Sequence, residues 1–377
     1  MNDLDAVPVV ERAPVRGWAR RALDGAGGRG ARAWREAARP LGWAWGTVAE
    51  YRLHRPRLGP ADRLPAPAIG IGNVTVGGGG KTSLVQWLLA DGLPAGAVAV
   101  VVTRGYGRAA RGTGVLRPLA PGAPAGAALK WGDEAALLAR AGVWVGVGAD
   151  RSAAARALAA VTGFDCLLLD DALQHRRVSR SLDLITFTAD DLQAPARCLP
   201  AGPLRQGPAW RPPNGAWIVS GVDPRREPWP RGTIGAAFAA WWRELPGTAA
   251  AWADGGTASL AAWRTGGSEP FAAGDRPIVA LTGVARPASV ARFAAQAGHP
   301  VTAVVAWPDH YQFTCSDVAA LRAAHPGAAL VMTEKDAIKC EPAWFGDRPV
   351  GVLRRRLVPH DPQLLQGLVR DAIAWNE

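Results

Sequence analysis

Cysteine, tyrosine and methionine are scarce in this chain: 4, 3 and 2 among 377 residues. Cys166, Cys198, Cys315 and Cys340 lie far apart and form no Cys-x-x-Cys pair. That spacing argues against a zinc site and suits a reducing compartment. No run of about eighteen apolar residues occurs, so no ordinary membrane-spanning helix is expected. The opening Met1-Asn2-Asp3-Leu4-Asp5 has neither the basic stretch nor the apolar core of a secretory signal. No repeat of solenoid length is present. Long blocks of consecutive basic residues are missing too, which counts against nucleic acid as a partner.

What is present is the composition of a globular protein, 49% hydrophobic and 20% charged. The length allows two domains, and 45 glycines with 31 prolines make loops plentiful. A net charge of +11 suits anionic partners, such as phosphorylated substrates or acidic lipid surfaces.

The most informative stretch runs from Ile69 to Leu89. Ile69-Gly70-Ile71-Gly72 reads as an apolar strand, and Ser83 to Leu89 reads as a helix. Between them lies a glycine loop, Gly77-Gly78-Gly79-Gly80, closing in Lys81-Thr82. Strand, glycine loop and helix in this order make a phosphate cradle, in which loop amides and the helix start face the phosphates. Lys81 then reaches the terminal phosphates and the Thr82 hydroxyl sits on Mg²⁺, with Ser83 beside it. The strict pattern has glycine five positions before Gly80, where this chain has Thr75.

Further apolar strands are expected at 97–102, 143–147, 164–169, 182–187 and 216–220, alternating with helices that open at Asp133 and Asp150-Arg151. Asp133 and Glu134 are suitable helix caps. Alternation of this kind implies a mostly parallel sheet with helices on both faces, and ligands at the carboxyl ends of the strands. Arg104, Asp133, Asp170 and Asp171 all fall there. The pattern weakens around 224–274, and a second α/β cycle starts at Pro277. The expected organisation is a basic N-terminal segment (1–60), a P-loop domain (61–222), a linker (223–275), a smaller α/β domain (276–360) and a closing helix (361–377).

Residues 1–65 hold 12 arginines against 7 acidic residues. Trp34, Leu41, Trp45 and Val48 recur at helical spacing, with arginines on other faces. Basic residues beside tryptophan suit a membrane interface, as an amphipathic helical segment lying on the lipid. Pro40 breaks this segment or opens its second helix, and residues 1–29 read as flexible.

Asp170-Asp171, after four apolar residues, behave like the acidic partner of a phosphate loop and would hold the metal or its waters. Gln174 and His175 follow on the same turn and should face the same cleft. Asp133, Glu134, Asp309 and His310 are candidates for the base that a kinase needs.

Taken together, these motifs resemble the tetraacyldisaccharide 4′-kinases of lipid A biosynthesis. The set is Gly72-Asn73 with Val76 to Thr82, Thr103-Arg104-Gly105-Tyr106-Gly107, Gly132-Asp133-Glu134, Asp150-Arg151 and Asp170 to Arg176. It continues with Pro200 to Arg205, Thr282-Gly283 with Arg286-Pro287, Pro308 to Tyr311 and Thr333 to Asp336. The resemblance implies ATP and Mg²⁺ as cofactors and an acylated disaccharide 1-phosphate as acceptor. It implies work at the cytoplasmic face of the bacterial inner membrane, with no obligate protein partner. It makes Asp133 the base, supported by His310. Lys81 and Thr82 serve nucleotide and metal, with Asp170, Asp171 and Gln174 completing the metal site. Arg104, Tyr106 and Arg151 would contact the disaccharide or its phosphate. Gln206 and Ala172 depart from the family, which commonly has Glu and Gly there. The rival reading is a P-loop GTPase or ATPase switch, or a metallochaperone-like protein. Its guanine signature, [NT]-K-x-D, is only mimicked by Thr333-Glu334-Lys335-Asp336.

Overall fold

The computed structural model describes residues 7–12, 22–25, 28–54, 63–120, 125–175, 177–207, 214–222, 229–244, 250–263 and 269–374. Arg176 and Trp375, and most of the segment 1–29, lie outside them. An edge strand β1 (Val9–Glu11) precedes helices α1 (Gly28–Ala37) and α2 (Arg39–His54). Then come β2 (Ala68–Gly72), α3 (Lys81–Trp87), β3 (Ala99–Thr103), β4 (Gly114–Leu116), α4 (Gly126–Trp131), α5 (Asp133–Arg140) and β5 (Val145–Val147). They are followed by α6 (Arg151–Ala159), β6 (Cys166–Asp170), β7 (Leu182–Thr188), α7 (Ala189–Gln193), β8 (Gly215–Ser220), α8 (Ile234–Glu244) and β9 (Ala250–Ala262). The chain closes with β10 (Ile278–Thr282), α9 (Ala288–Gln296), β11 (Ala303–Ala306), α10 (Cys315–Ala324), β12 (Ala329–Thr333), α11 (Glu334–Ala337), β13 (Val350–Pro359) and α12 (Pro362–Ala374).

All the described strands join one sheet in the order β1-β11-β10-β12-β13-β9-β8-β7-β2-β6-β3-β5-β4. Pairing is parallel except at β13–β9 and β4–β5. Near-continuous runs such as Val100-Val101-Val102 and Leu167-Leu168-Leu169 are buried, as a parallel sheet covered on both faces requires. Register places Ile71 beside Asp170 and Gly72 beside Ile185, so β2 and β6 end nearly level while β7 runs on to Thr188. The phosphate loop and the paired carboxylates therefore leave the sheet at one edge.

Two differences from the sequence reading stand out. The segment 223–275, expected as a linker, contributes α8 and β9. β9 pairs with β8 through Ala250–Ala253 and with β13 through Ala253–Ala262, so it joins the two halves of the sheet. Its sequence, rich in Ala and Gly, carries little strand signal. Within the stretch read as flexible, Val9–Glu11 pairs with β11.

Pro40 lies in the first turn of α2, where its missing N–H costs nothing. Gly42 of α2 sits on the loop after α7: an added Cβ would come within 2.9 Å of Ala201 Cβ and the Cys198 carbonyl. α12 returns from the second half to the first, where Leu365 and Val369 pack with Ile69, Ile71 and Leu184. Leu365→Ala should lower unfolding free energy by about 2–5 kcal/mol, the usual cost of such a cavity. Urea unfolding with no loss would mean that α12 adds nothing to the core.

Candidate active site

Gly80 caps α3 in the left-handed region, φ 84°, which favours glycine. Asn73, directly after β2, organises the loop from within. Its Nδ2 donates to Gly77 O (3.2 Å) and to Thr75 Oγ1 (3.3 Å), and its Oδ1 accepts from Lys81 Nζ (3.1 Å). Thr75 is fully buried and donates to Asp191 Oδ1 (3.1 Å). The residue that departs from the strict phosphate-loop pattern is thus tied into the protein.

Asp170 and Asp171 part company at the end of β6. Asp170 is buried; its Oδ2 accepts from Thr103 Oγ1 at 3.4 Å, while Oδ1 is buried without a hydrogen-bond partner. Burial raises its pKa against the pull of Lys81 and Arg151. An orphaned carboxylate oxygen at this depth is costly unless a cation meets it. Asp171 takes a left-handed turn (φ 49°) towards Lys81 (3.4 Å) and Arg205 (3.1 Å). Burial opposes its charge, but these two cations outweigh it and hold its carboxyl below the usual range.

Gln174 spends its amide on bracing: Nε2 donates to Asn73 O and Gln206 Oε1, and Oε1 accepts from Arg205. Gln174 and His175, expected to face the cleft, do not line it. Arg151, expected at the substrate, is buried behind Asp170, donates to Gly148 O, and is also off the cleft wall. Burial lowers its pKa, with Asp170 and Asp171 opposing.

The third group spans the two halves of the chain. Gly132, at φ 92°, caps α5, so Asp133 is not the helix cap expected of it. Its carboxylate faces His310 instead, with Nδ1 at 3.0 Å from both oxygens. Asp133 is 1% exposed. Burial alone would raise its pKa, but the His310 hydrogen bond and Lys335 hold it well below the carboxylate range. An ionised Asp133 can only accept, so Nδ1 carries the proton and Nε2 is the basic nitrogen of a neutral His310. His310 holds φ 62°, and Tyr106, 65% exposed, places its ring centroid 4.9 Å away.

Lys335 stands among three carboxylates: Glu134 at 3.0 Å, Asp133 at 3.6 Å and Asp309 at 3.6 Å. Burial works against its charge, but the carboxylates win and raise its pKa. Glu134 is pushed up to about 7, by burial first and by the Asp133 charge, against the pull of Lys335. Burial lowers the His310 pKa, yet the Asp133 bond raises it above its ordinary value; Lys335 pulls it down.

These groups surround a cleft of about 930 Å³. One wall carries Gly77 to Ser83, Arg104, Tyr106, Asp170 and Asp171, and the other carries His310, Lys335 and Arg286. Sequence reasoning gave no role to Asn73, Lys335, Arg205 or Asp191. Asn73, Arg205 and Lys335 sit inside recognised motifs. Asp191, three residues after Thr188, carries only a capping-box signal.

The family model for tetraacyldisaccharide-1-P 4′-kinase matches residues 34–373. The tetraacyldisaccharide 4′-kinase of Anaeromyxobacter dehalogenans strain 2CP-C is 35% identical, covering 89% of this chain and 91% of its own. That of Alkalilimnicola ehrlichii is 36% identical, covering 86% and 92%. A crystal structure of LpxK from Aquifex aeolicus in complex with ATP superposes with a TM-score of 0.65 at 23% identity. It covers 90% of this chain and 99% of that one, a likeness of fold.

Lys335 is the positive charge that opposes the rise of the His310 pKa. Lys335→Met should therefore move the titration of the His310 ring, read by histidine NMR, to higher pH. A shift downward would show that the carboxylates, once unpaired, no longer face the imidazole.

Proposed function

The chain belongs to the tetraacyldisaccharide-1-phosphate 4′-kinase family, and we propose that the cleft between its halves is the site where that chemistry occurs. The protein is a kinase that phosphorylates the lipid A precursor at the 4′ position. The observation that carries the site assignment is the Asp133–His310 pair, joined at 3.0 Å, whose His310 lines the same cleft as the phosphate loop. ATP lies with its phosphates on Gly77 to Ser83, and Lys81 neutralises the transferred group. Lys81, Arg205 and the loop amides stabilise the charge that spreads over the phosphoryl oxygens.

Asp133 and His310 act as one base. Asp133 is too buried to meet a lipid hydroxyl, so it fixes the Nδ1 tautomer and His310 presents Nε2 to the 4′-hydroxyl. The hydroxyl proton passes to Nε2 and its oxygen bonds to the γ-phosphorus. The bond from that phosphorus to the bridging oxygen breaks, and ADP leaves. Asp170 Oδ1 and the Thr82 hydroxyl fit a hard divalent cation, since they offer oxygen donors in one cleft. Bound Mg²⁺ would supply charge neutralisation there. Asp171 supports this site by holding Lys81 and Arg205, and Gln174 by bracing the loop. Arg104 and Tyr106 line the acceptor side, and Arg151 supports Asp170 from behind.

The test is γ-phosphoryl transfer from ATP to tetraacyldisaccharide 1-phosphate in detergent micelles, with and without chelation of Mg²⁺. Asp133→Asn should cut kcat by about 10²–10⁴-fold, the usual range for a lost base. Because His310 must be neutral to accept a proton and its pKa is raised, the acid limb of the wild-type pH profile lies above pH 6.5. Without the Asp133 charge the limb moves to lower pH. An unmoved limb with normal transfer would remove the dyad from the mechanism.

No helix among the described residues is long and apolar enough to cross a membrane. We assign contact with the inner-membrane surface to α2. Its packed side holds Gly42 and Gly46; opposite run Leu41, Ala44, Val48 and Tyr51, flanked by Trp43 and Trp45. Trp43 is 76% exposed, and Arg32 and Arg39 lie nearby on α1 and at the start of α2. Apolar area beside basic residues binds anionic lipid surfaces. Leu41→Ser with Val48→Ser should reduce co-sedimentation with anionic vesicles several-fold while ATP binding stays unchanged. Full retention on vesicles would move the contact away from α2.

A further inference from the structure

Asp191 is buried to 1% exposure and accepts four hydrogen bonds from three different places. Its Oδ2 takes the Thr188 amide (2.8 Å) and the Thr188 hydroxyl (2.8 Å), which is the local capping box of α7. Its Oδ1 has no local duty. It takes the Thr75 hydroxyl from the phosphate loop at 3.1 Å and Arg286 Nη2 from the second half at 2.7 Å. Arg286 also donates through Nη1 to Thr188 Oγ1 at 2.8 Å. Burial disfavours the Arg286 charge, but Asp191 and its acidic neighbours raise the guanidinium pKa.

The bonds form a continuous line. Lys81 donates to Asn73, Asn73 to Thr75, and Thr75 to Asp191, which Arg286 meets from the other side. Every member is satisfied in one sense only: Thr75 accepts from Asn73 and donates to Asp191. Arg286 sits in the turn between β10 and α9. The root of that turn is fixed by Asp336, which takes Thr282 Oγ1 (2.8 Å) and Gly283 N (3.0 Å). A glycine at position 75 would leave Asp191 Oδ1 bonded to Arg286 alone and the loop without this tether.

We propose that Thr75, Asp191 and Arg286 are positioning residues that set the phosphate loop, and so its affinity for a nucleoside triphosphate, by the placement of the second half of the protein. None of the three touches the phosphates in this reading; they act through Asn73 and Lys81. The proposal rests on the loop being the ATP site. A mere brace for the fold would lower stability and leave nucleotide affinity alone, whereas a positioning line makes distant members depend on one another. Thr75 and Arg286 share Asp191 but make no hydrogen bond to each other.

The experiment is a double-mutant cycle in the full-length enzyme, Thr75→Val with Arg286→Lys, reading the ATP Kd by calorimetry, with KM for ATP, kcat and Tm beside it. Arg286→Lys keeps the charge but loses the two-nitrogen fork that meets Thr188 through Nη1 and Asp191 through Nη2. Each single change should weaken ATP by about tenfold, the scale of one charge-assisted hydrogen bond. The double variant should be no weaker than the worse single, because either change cuts the same line. KM for ATP should rise more than kcat falls, and Thr75→Ser should rescue the affinity. Multiplying effects in the double variant, or a lower Tm with unchanged Kd, would overturn the proposal. Wild-type protein that fails to bind ATP, or Lys81→Ala that binds it normally, would overturn the ATP reading and this inference with it.

Discussion

A carboxylate buried at the depth of Asp133 costs several kcal/mol of desolvation unless cations and hydrogen-bond donors offset it. Its partners, His310 and Lys335, are supplied by the other half of the chain. The same holds for Asp191, whose second oxygen is met by Arg286. Charge balance in the first half is therefore incomplete without the second. The cleft is closed by electrostatics at two separate points, and both lie beside groups assigned to phosphoryl transfer. Separating the halves would expose these charges to water, which weakens each pair but removes the desolvation cost. At these two points separation trades pair energy against rehydration, which an apolar interface does not do.

The sheet opposes separation of the halves. β9 is hydrogen-bonded to β8 on one side and β13 on the other, so the halves share a continuous backbone ladder. α12 crosses back and buries Leu365 and Val369 in the first half. A rigid separation would break strand pairing and expose this apolar contact. Changes in the twist of β9 and β13 cost less, and the register irregularity between Arg356 and Val358 lies on that path. Motion of this kind moves His310, Lys335 and Arg286 together, since all three follow strands of one sheet half.

Much of this was legible in the sequence, and the failures have physical causes. β2, β3, β5, β6, β7 and β8 are short apolar runs, and burial on both faces of a parallel sheet makes such runs easy to read. β9 was missed because Ala250 to Ala262 has no β-branched residue except Thr257 and carries two glycines; its strand state comes from two partners. β13 was missed because Arg354-Arg355-Arg356 interrupts its apolar pattern, though Arg355 packs its guanidinium over the Phe293 ring at 3.7 Å. At the site, Lys81, Asp133 and His310 were found by motif, and the structure brings Asp133 and His310 together across 177 positions. The sequence pairs Asp171 with Asp170 by adjacency, and Gln174 joins the metal set only through the family resemblance. Adjacency cannot reveal that a left-handed turn at Asp171 points its carboxylate at Lys81 and Arg205.

Thr75 shows the same limit from the other side. Measured against a phosphate-loop pattern, a threonine in place of glycine is a defect. Glycine serves there by permitting backbone conformations that other residues avoid. In this chain Thr75 needs no such freedom: its backbone bridges Leu204 in strand geometry, and its hydroxyl enters a buried network. Conformational permission has been exchanged for a directed bond, which orders the loop before any ligand arrives. An ordered loop loses less entropy on binding phosphates, and it can be ordered only while Asp191 stays in place. The cost is dependence on a distant residue, Arg286, and that dependence is what lets the second half of the protein act on the loop at all.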